Sequence, residues 1–173
     1  AMGMDPLMVE GRRVTDEDTL KIVTMVYAGW CSKSITALLQ AEGCNAIGLC
    51  GADANVIEAR KRPPMHAEMT RESAESLMYK TTVAASDEEG KWMVDYGFVG
   101  DVNSGCVNAG FIYSLLEKGI VPVFNAINHD GKGSLLNTNA DTIASSVAVA
   151  MAGYRYRSPR EVCCRCEECT HCS

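Results

Sequence analysis

Apolar and polar positions alternate in two registers along this chain. Met8–Val14 (MVEGRRV) holds two short apolar pieces around Glu10-Gly11. That pattern predicts a tight hairpin, with Gly11 supplying the positive φ such turns need. Thr15 is expected to cap a following helix, with Asp18 at N3 and three carboxylates in the first turn to suit the helix dipole. Leu20, Val23, Val26 and Tyr27 recur at helical spacing, widened by Ile22 and Met25. Gly29 predicts an interruption, Lys33–Gln40 a resumption, and Glu42-Gly43 a stop.

Asn45–Cys50 (NAIGLC) reads as a buried parallel strand, and Gly51–Asn55 as the loop at its C-terminal end, where open α/β sheets bind ligands. Val56–Ala59 resumes an extended pattern. The stretch 61–95 is an excursion: Ala67–Met78 has helical character, and Tyr79–Ala84 and Trp92–Val94 flank the turn-like SDEEGK as a hairpin. Such an excursion fits a lid or edge decoration as well as a solvated insertion. Gly97–Gly100 and Ile120–Ala126 read as strands, Val107–Lys118 as a helix closed by Gly119, and Asp130–Gly133 as a turn. A last helix spans Thr142–Ala152. Strands alternating with helices predict an α/β, three-layer αβα sandwich around a mainly parallel sheet.

Composition narrows the function classes. Twenty-two acidic against 16 basic residues give a net charge of −6, so no basic stripe marks a nucleic-acid partner. No uninterrupted apolar run approaches the ~18 residues of a membrane span, and no signal-peptide pattern opens the chain. Cys31, Cys44, Cys50 and Cys106 sit among apolar neighbours and read as reduced, buried thiols of an intracellular, cytoplasmic protein.

Candidate chemistry concentrates in Leu136–Thr142 (LNTNADT). A strand ends, a helix begins, and the free N–H groups of the helix start offer themselves to an anion. Asn139 can cap that helix, the Asn137 amide can donate to a carboxylate, and Asp141 can fix neighbouring lysines by charge. One capped helix with no ligand accounts for the same residues. Arg13, at the end of the hairpin, can grip a carboxylate bidentately or stand as an exposed strand arginine.

Five segments occur together in an order that resembles the acetylglutamate kinases of the amino acid kinase family. They are Gly11–Asp16 (GRRVTD), Gly48–Asp53 (GLCGAD), Gly97–Gly100 (GFVG), Ile120–Val123 (IVPV) and Asn137–Asp141 (NTNAD). The resemblance runs roughly from Met4 to Met151, outside much of 61–95, and assigns residues 1–152 to an amino acid kinase-type unit. It implies phosphorylation of the γ-carboxylate of an N-acylated glutamate by ATP and Mg²⁺, in arginine biosynthesis, by a homodimer joined through the first long helix. It carries Arg13, Asn137 and Asn139 to substrate binding, with Arg13 on the α-carboxylate, and Asp141 to organising catalytic lysines. The Gly97–Gly100 strand would wall the acyl group. The family's glycine-rich lysine loop, its second glycine loop and its later lysine have no counterpart in this sequence, so little activity is expected from the chain alone. Ser32 and Ala52 stand where the family commonly has asparagine and lysine.

Residues 153–173 have a composition of their own. Cys163, Cys166, Cys169 and Cys172 stand at uniform C-x2-C spacing, the spacing of zinc or iron–sulfur ligands. Four ligands this close leave little chain to wrap a metal, so a disordered tail is the expectation and a metal-binding module the alternative.

Overall fold

The computed structural model describes residues 8–10, 12–78, 81, 83–85 and 91–155. The cysteine set at 163, 166, 169 and 172, Gly11 and the turn at 86–90 lie outside the described residues. Strands β1 (Met8–Val9) and β2 (Arg12–Arg13) form the expected antiparallel hairpin. Glu10 takes a left-handed φ of 47° in its turn.

The helix that follows starts one residue later than the sequence suggests. Asp16, not Thr15, is the N-cap of α1 (Glu17–Val23), accepting from the Thr19 N–H at 2.7 Å. Thr15 is fully buried and occupied elsewhere, as described below. Nor does Gly29 break the helix. α1 continues through a π-helical stretch (Thr24–Cys31) into α2 (Ser32–Ala41), and Gly43, at φ +77°, closes it. The result is a 25-residue rod, 17–41, long and apolar enough by length and composition to cross a membrane, which an unbroken-run count misses. Trp30 (77% exposed) and Leu38 (68%) stand out from it.

β3 (Ala46–Leu49) pairs in parallel with β9 (Val121–Phe124), as the two buried runs predict. β4 is Arg60–Lys61. The excursion is ordered around β5 (Met65–Glu68), α3 (Arg71–Leu77), β6 (Val83–Ala85) and β7 (Lys91–Val94). β7 lies between β5 and β6, antiparallel to both. The region read as helical from Ala67 is therefore split, because Ala67 pairs with Trp92. Its apolar side is not solvated: Ala67, Leu77 and Val94 pack with Val9, Val14 and Tyr96 into one core cluster.

β8 (Gly100–Asp101) pairs with β4, and α4 (Ala109–Glu117) begins at an Asn108 cap and ends before Gly119 at φ +69°. β10 (Ile127–His129) and β11 (Leu135–Asn137) form an antiparallel hairpin around the predicted turn. α5 (Ala140–Arg155) follows. A second core cluster, with Ile57, Ile112, Leu136 and Ile143 at its centre, joins α4 and α5 to the strands, while α2 packs on β3 and β9. This is the α/β sandwich of the sequence reading.

Candidate functional site

Thr15 organises the site from below. Its N–H donates to the Tyr96 carbonyl at 2.9 Å, and its own carbonyl accepts the Phe98 N–H at 2.8 Å. One step further, the Asn137 N–H donates to the Phe98 carbonyl at 2.8 Å. Thr15 thus bridges Gly97, and Val99 bridges Asn137, both in parallel. With both backbone groups of Thr15 held in this ladder, Asp16 caps the helix instead. Gly97 makes the close approach possible. It sits at φ +76°, and a methyl there would fall inside contact distance of the Thr15 carbonyl oxygen.

The ladder brings residues 13–15 and 137 together. Asn137 Nδ2 donates to Thr15 Oγ1 at 3.2 Å. Arg13 is exposed two residues ahead of Thr15. Asn139 caps α5 as expected: its Oδ1 accepts the Thr142 N–H at 3.0 Å. Asp141 is exposed in the first turn of α5.

A cavity of about 430 Å³ opens beside Asn137 and Asn139. Tyr27, Cys31 and Ile35 of the first helix face Val123 and Phe124 of β9 across it, and Asn125, Thr138 and Ala140 complete its end. Its walls are mostly apolar, with amides at one end and the start of α5 beside them, the composition expected of a pocket for a small polar molecule. Arg13 and Asp141 are not among its lining residues. Asn125 is fixed rather than free, since its Nδ2 donates to the Leu49 carbonyl at 3.0 Å and its Oδ1 accepts the Ile127 N–H at 2.9 Å. Sequence reasoning did not find Thr15, Tyr27, Cys31 or Asn125. The one local signal was an asparagine closing an otherwise apolar strand.

The loop after β3 takes a different place. Asp53 Oδ2 accepts the Cys50 N–H at 2.8 Å, and Ala54 and Asn55 adopt left-handed φ of 51° and 49°. Burial pushes the Cys50 thiol up from its ordinary pKa, as suits an unreactive thiol. Asn55 lines a larger and more polar cavity of about 520 Å³ with Glu58, Arg60, Asn108 and Tyr154. Asn55 belongs to the loop that the sequence marks for ligands, whereas Arg13, Asn137, Asn139 and Asp141 do not line this cavity.

Comparison with known proteins places the chain. A sequence profile of the amino acid kinase family matches residues 1–155. An acetylglutamate kinase of Phocaeicola vulgatus is 50% identical over 151 residues, 87% of this chain and 48% of that protein. One of Cytophaga hutchinsonii is 45% identical over 152 residues, 88% and 47% respectively. One of Methanocella arvoryzae is 39% identical over 150 residues. The chain spans about half the length of these curated relatives. Among solved structures, a protein of Streptococcus mutans UA159 matches with a TM-score of 0.60 at 23% identity, covering 86% of this chain and 48% of its own. An N-acetylglutamate synthase of Neisseria gonorrhoeae matches with a TM-score of 0.57 at 20% identity, covering 86% and 27%. These two show the shared fold. Fold and relatives agree with the ordered motifs from GRRVTD to NTNAD, and the chain belongs to the amino acid kinase family.

Proposed function

We propose that this chain forms the acylglutamate-binding side of a cytoplasmic kinase that phosphorylates the γ-carboxylate of N-acetyl-L-glutamate with ATP and Mg²⁺, a step of arginine biosynthesis. The observation that carries this reading is the Asn137–Thr15 hydrogen bond, which ties the Arg13 segment to the end of β11 beside the cavity. In this reading the Arg13 guanidinium takes the α-carboxylate. The Asn137 amide and Asn139 orient the acylated amine, and the apolar wall holds the acyl chain. Asp141 orients cationic groups at the γ-carboxylate end. Joining a carboxylate to a phosphoryl group brings two anions together, so positioning and nearby cations and N–H donors supply the catalysis.

The groups gathered beside the cavity, the Asn137 and Asn139 amides and the start of α5, suit the carboxylate and amide of an acylglutamate. The part derived for this chain is therefore to bind and orient the acceptor. The resemblance to enzymes named acetylglutamate kinase supports the acceptor's identity. The exposed Met25, Val26, Trp30, Ile35 and Leu38 support a homodimer through the first helix.

Calorimetric titration with N-acetylglutamate tests the assignment. Binding by the parent chain, lost in Arg13→Ala and in Asn137→Ala, is the expected result. Unchanged binding in both variants removes it.

A further inference from the structure

Arg13 stands on a hairpin of two residues a side, and so short a hairpin holds little by itself. Its direction is set from the opposite face. Val9 and Val14 are buried in one cluster with Ala67, Leu77 and Val94 of the excursion. Side chains alternate along a strand, so burying Val14 turns Arg13 outward. Met8, its partner across the hairpin, is exposed on the same side. A slip of one residue would turn the guanidinium into the cluster.

The turn of the hairpin carries a second tie. Glu10 takes a φ of 47°, a left-handed conformation that glycine adopts with less strain. Its carboxylate gives a glutamate a reason to be there. Oε1 accepts the Glu68 N–H at 2.8 Å, across 58 positions of sequence. A charged acceptor makes this a stronger bond than one between neutral groups. Glu68 ends β5, the edge strand of the three-stranded sheet β5-β7-β6. That end is itself fixed, because Trp92 of β7 donates from Nε1 to the Met69 carbonyl at 3.1 Å. The bond therefore joins the turn of a small hairpin to the margin of a larger sheet.

We infer that Glu10 is a positioning residue for the acceptor. It acts through Glu68 and the sheet of the excursion to hold the Arg13 strand in one orientation, which makes the excursion the footing of the carboxylate grip. The role asks for no contact between Glu10 and the acceptor. It rests on the reading of Arg13 as the ligand of the acceptor's α-carboxylate.

The test compares Glu10→Gly and Glu10→Gln with the parent in the full chain, by calorimetric titration of N-acetylglutamate and by amide exchange at Glu68. Glu10→Gly relieves the left-handed turn and removes the accepting oxygen, so a merely local role predicts a hairpin as good as the parent's or better. The positioning role predicts the reverse: the Glu68 amide exchanges about tenfold faster and N-acetylglutamate binds about tenfold more weakly. Glu10→Gln keeps an accepting oxygen at the same reach and is expected to bind within about twofold of the parent. In a parent that binds, undiminished affinity in Glu10→Gly overturns the inference and leaves the acceptor reading standing. Unchanged Glu68 exchange in Glu10→Gly overturns it too, as does Glu10→Gln binding no better than Glu10→Gly. A parent that does not bind N-acetylglutamate overturns the acceptor reading, and the positioning role falls with it. Should Glu10→Gly lose the parent's circular dichroism, Glu10→Asn is held to the same outcomes, since asparagine tolerates the left-handed turn and is one methylene shorter.

Discussion

Asn137 donates to the hydroxyl of Thr15 across 122 positions of sequence. Both ends are otherwise held by backbone bonds to residues 96–98, so the side-chain bond locks a contact that the ladder has already aligned. Thr15→Val keeps the shape and removes the acceptor. It is expected to cost about 1–2 kcal/mol in denaturant unfolding, because a half-buried amide donor loses its partner. In a double-mutant cycle with Asn137→Ala the losses should be less than additive. Additive losses would show the pair to be uncoupled.

Gly97→Ala should be worse than its size suggests. The positive φ strains any L side chain, and the methyl is driven at a carbonyl oxygen rather than at a mobile group. A loss of about 2–4 kcal/mol is expected from strain and overpacking together. If the chain still folds, N-acetylglutamate binding should weaken with it, since Thr15 and Asn137 meet through this segment. Calorimetry on the refolded variant checks that second effect.

Gly48→Ala tests the seat of α2. It should destabilise by about 1–3 kcal/mol. Ser32→Gly in the same chain should recover part of the loss by removing the nearer obstacle, with Thr36 Oγ1 remaining at 2.8 Å from the new methyl. No recovery would mean that the helix does not rest on this strand as described.

Asp130 gives the β10–β11 turn an acid limit. Its carboxylate accepts the N–H groups of Lys132 at 2.8 Å and Ser134 at 3.0 Å, and these bonds hold its pKa below the ordinary aspartate value. A carboxyl depressed in the folded state contributes stability above its unfolded pKa and loses it as pH falls through the folded value. Amide exchange at Lys132 and Ser134 should therefore rise relative to the rest of the hairpin only below the normal aspartate range. Asp130→Asn should remove that dependence.

Turnover offers the plainest check on the role assigned to this chain. The purified 173-residue protein, given acetylglutamate and MgATP, is expected to show no phosphorylation above background, since no cationic side chain here is assigned to the transferred group. Formation of acylglutamyl phosphate by the chain alone would overturn that assignment.

Much of this architecture is written in local pattern. β3 and β9 are uninterrupted apolar runs, and Asn139, at a strand-to-helix junction, could be read as a cap from its neighbours. What escaped reading was set by distant chain. Thr15 and Asp16 are both good cap formers, and only the pairing of Thr15 with Gly97 decides between them. Ala67 begins a helical-looking stretch, but Trp92 draws it into a sheet. Gly29 has the composition of a break, yet the rod continues through it in wider π-helical turns. In the candidate site, the two asparagines were legible because they lie in one heptapeptide. Tyr27 and Cys31 were not, since a helix face reveals its neighbours only once it is docked.

The ladder through residues 15, 97–99 and 137 also sets how force would pass between the hairpin and the final helix. A ligand pulling on Arg13 would pull on a peptide chain stitched, through one intervening segment, to the strand that leads into α5. Tension at one end would reach the other along covalent and hydrogen-bonded links without crossing solvent. The two ends of such a molecule would be gripped by parts that move as one piece, so closure around it would require motion elsewhere in the fold.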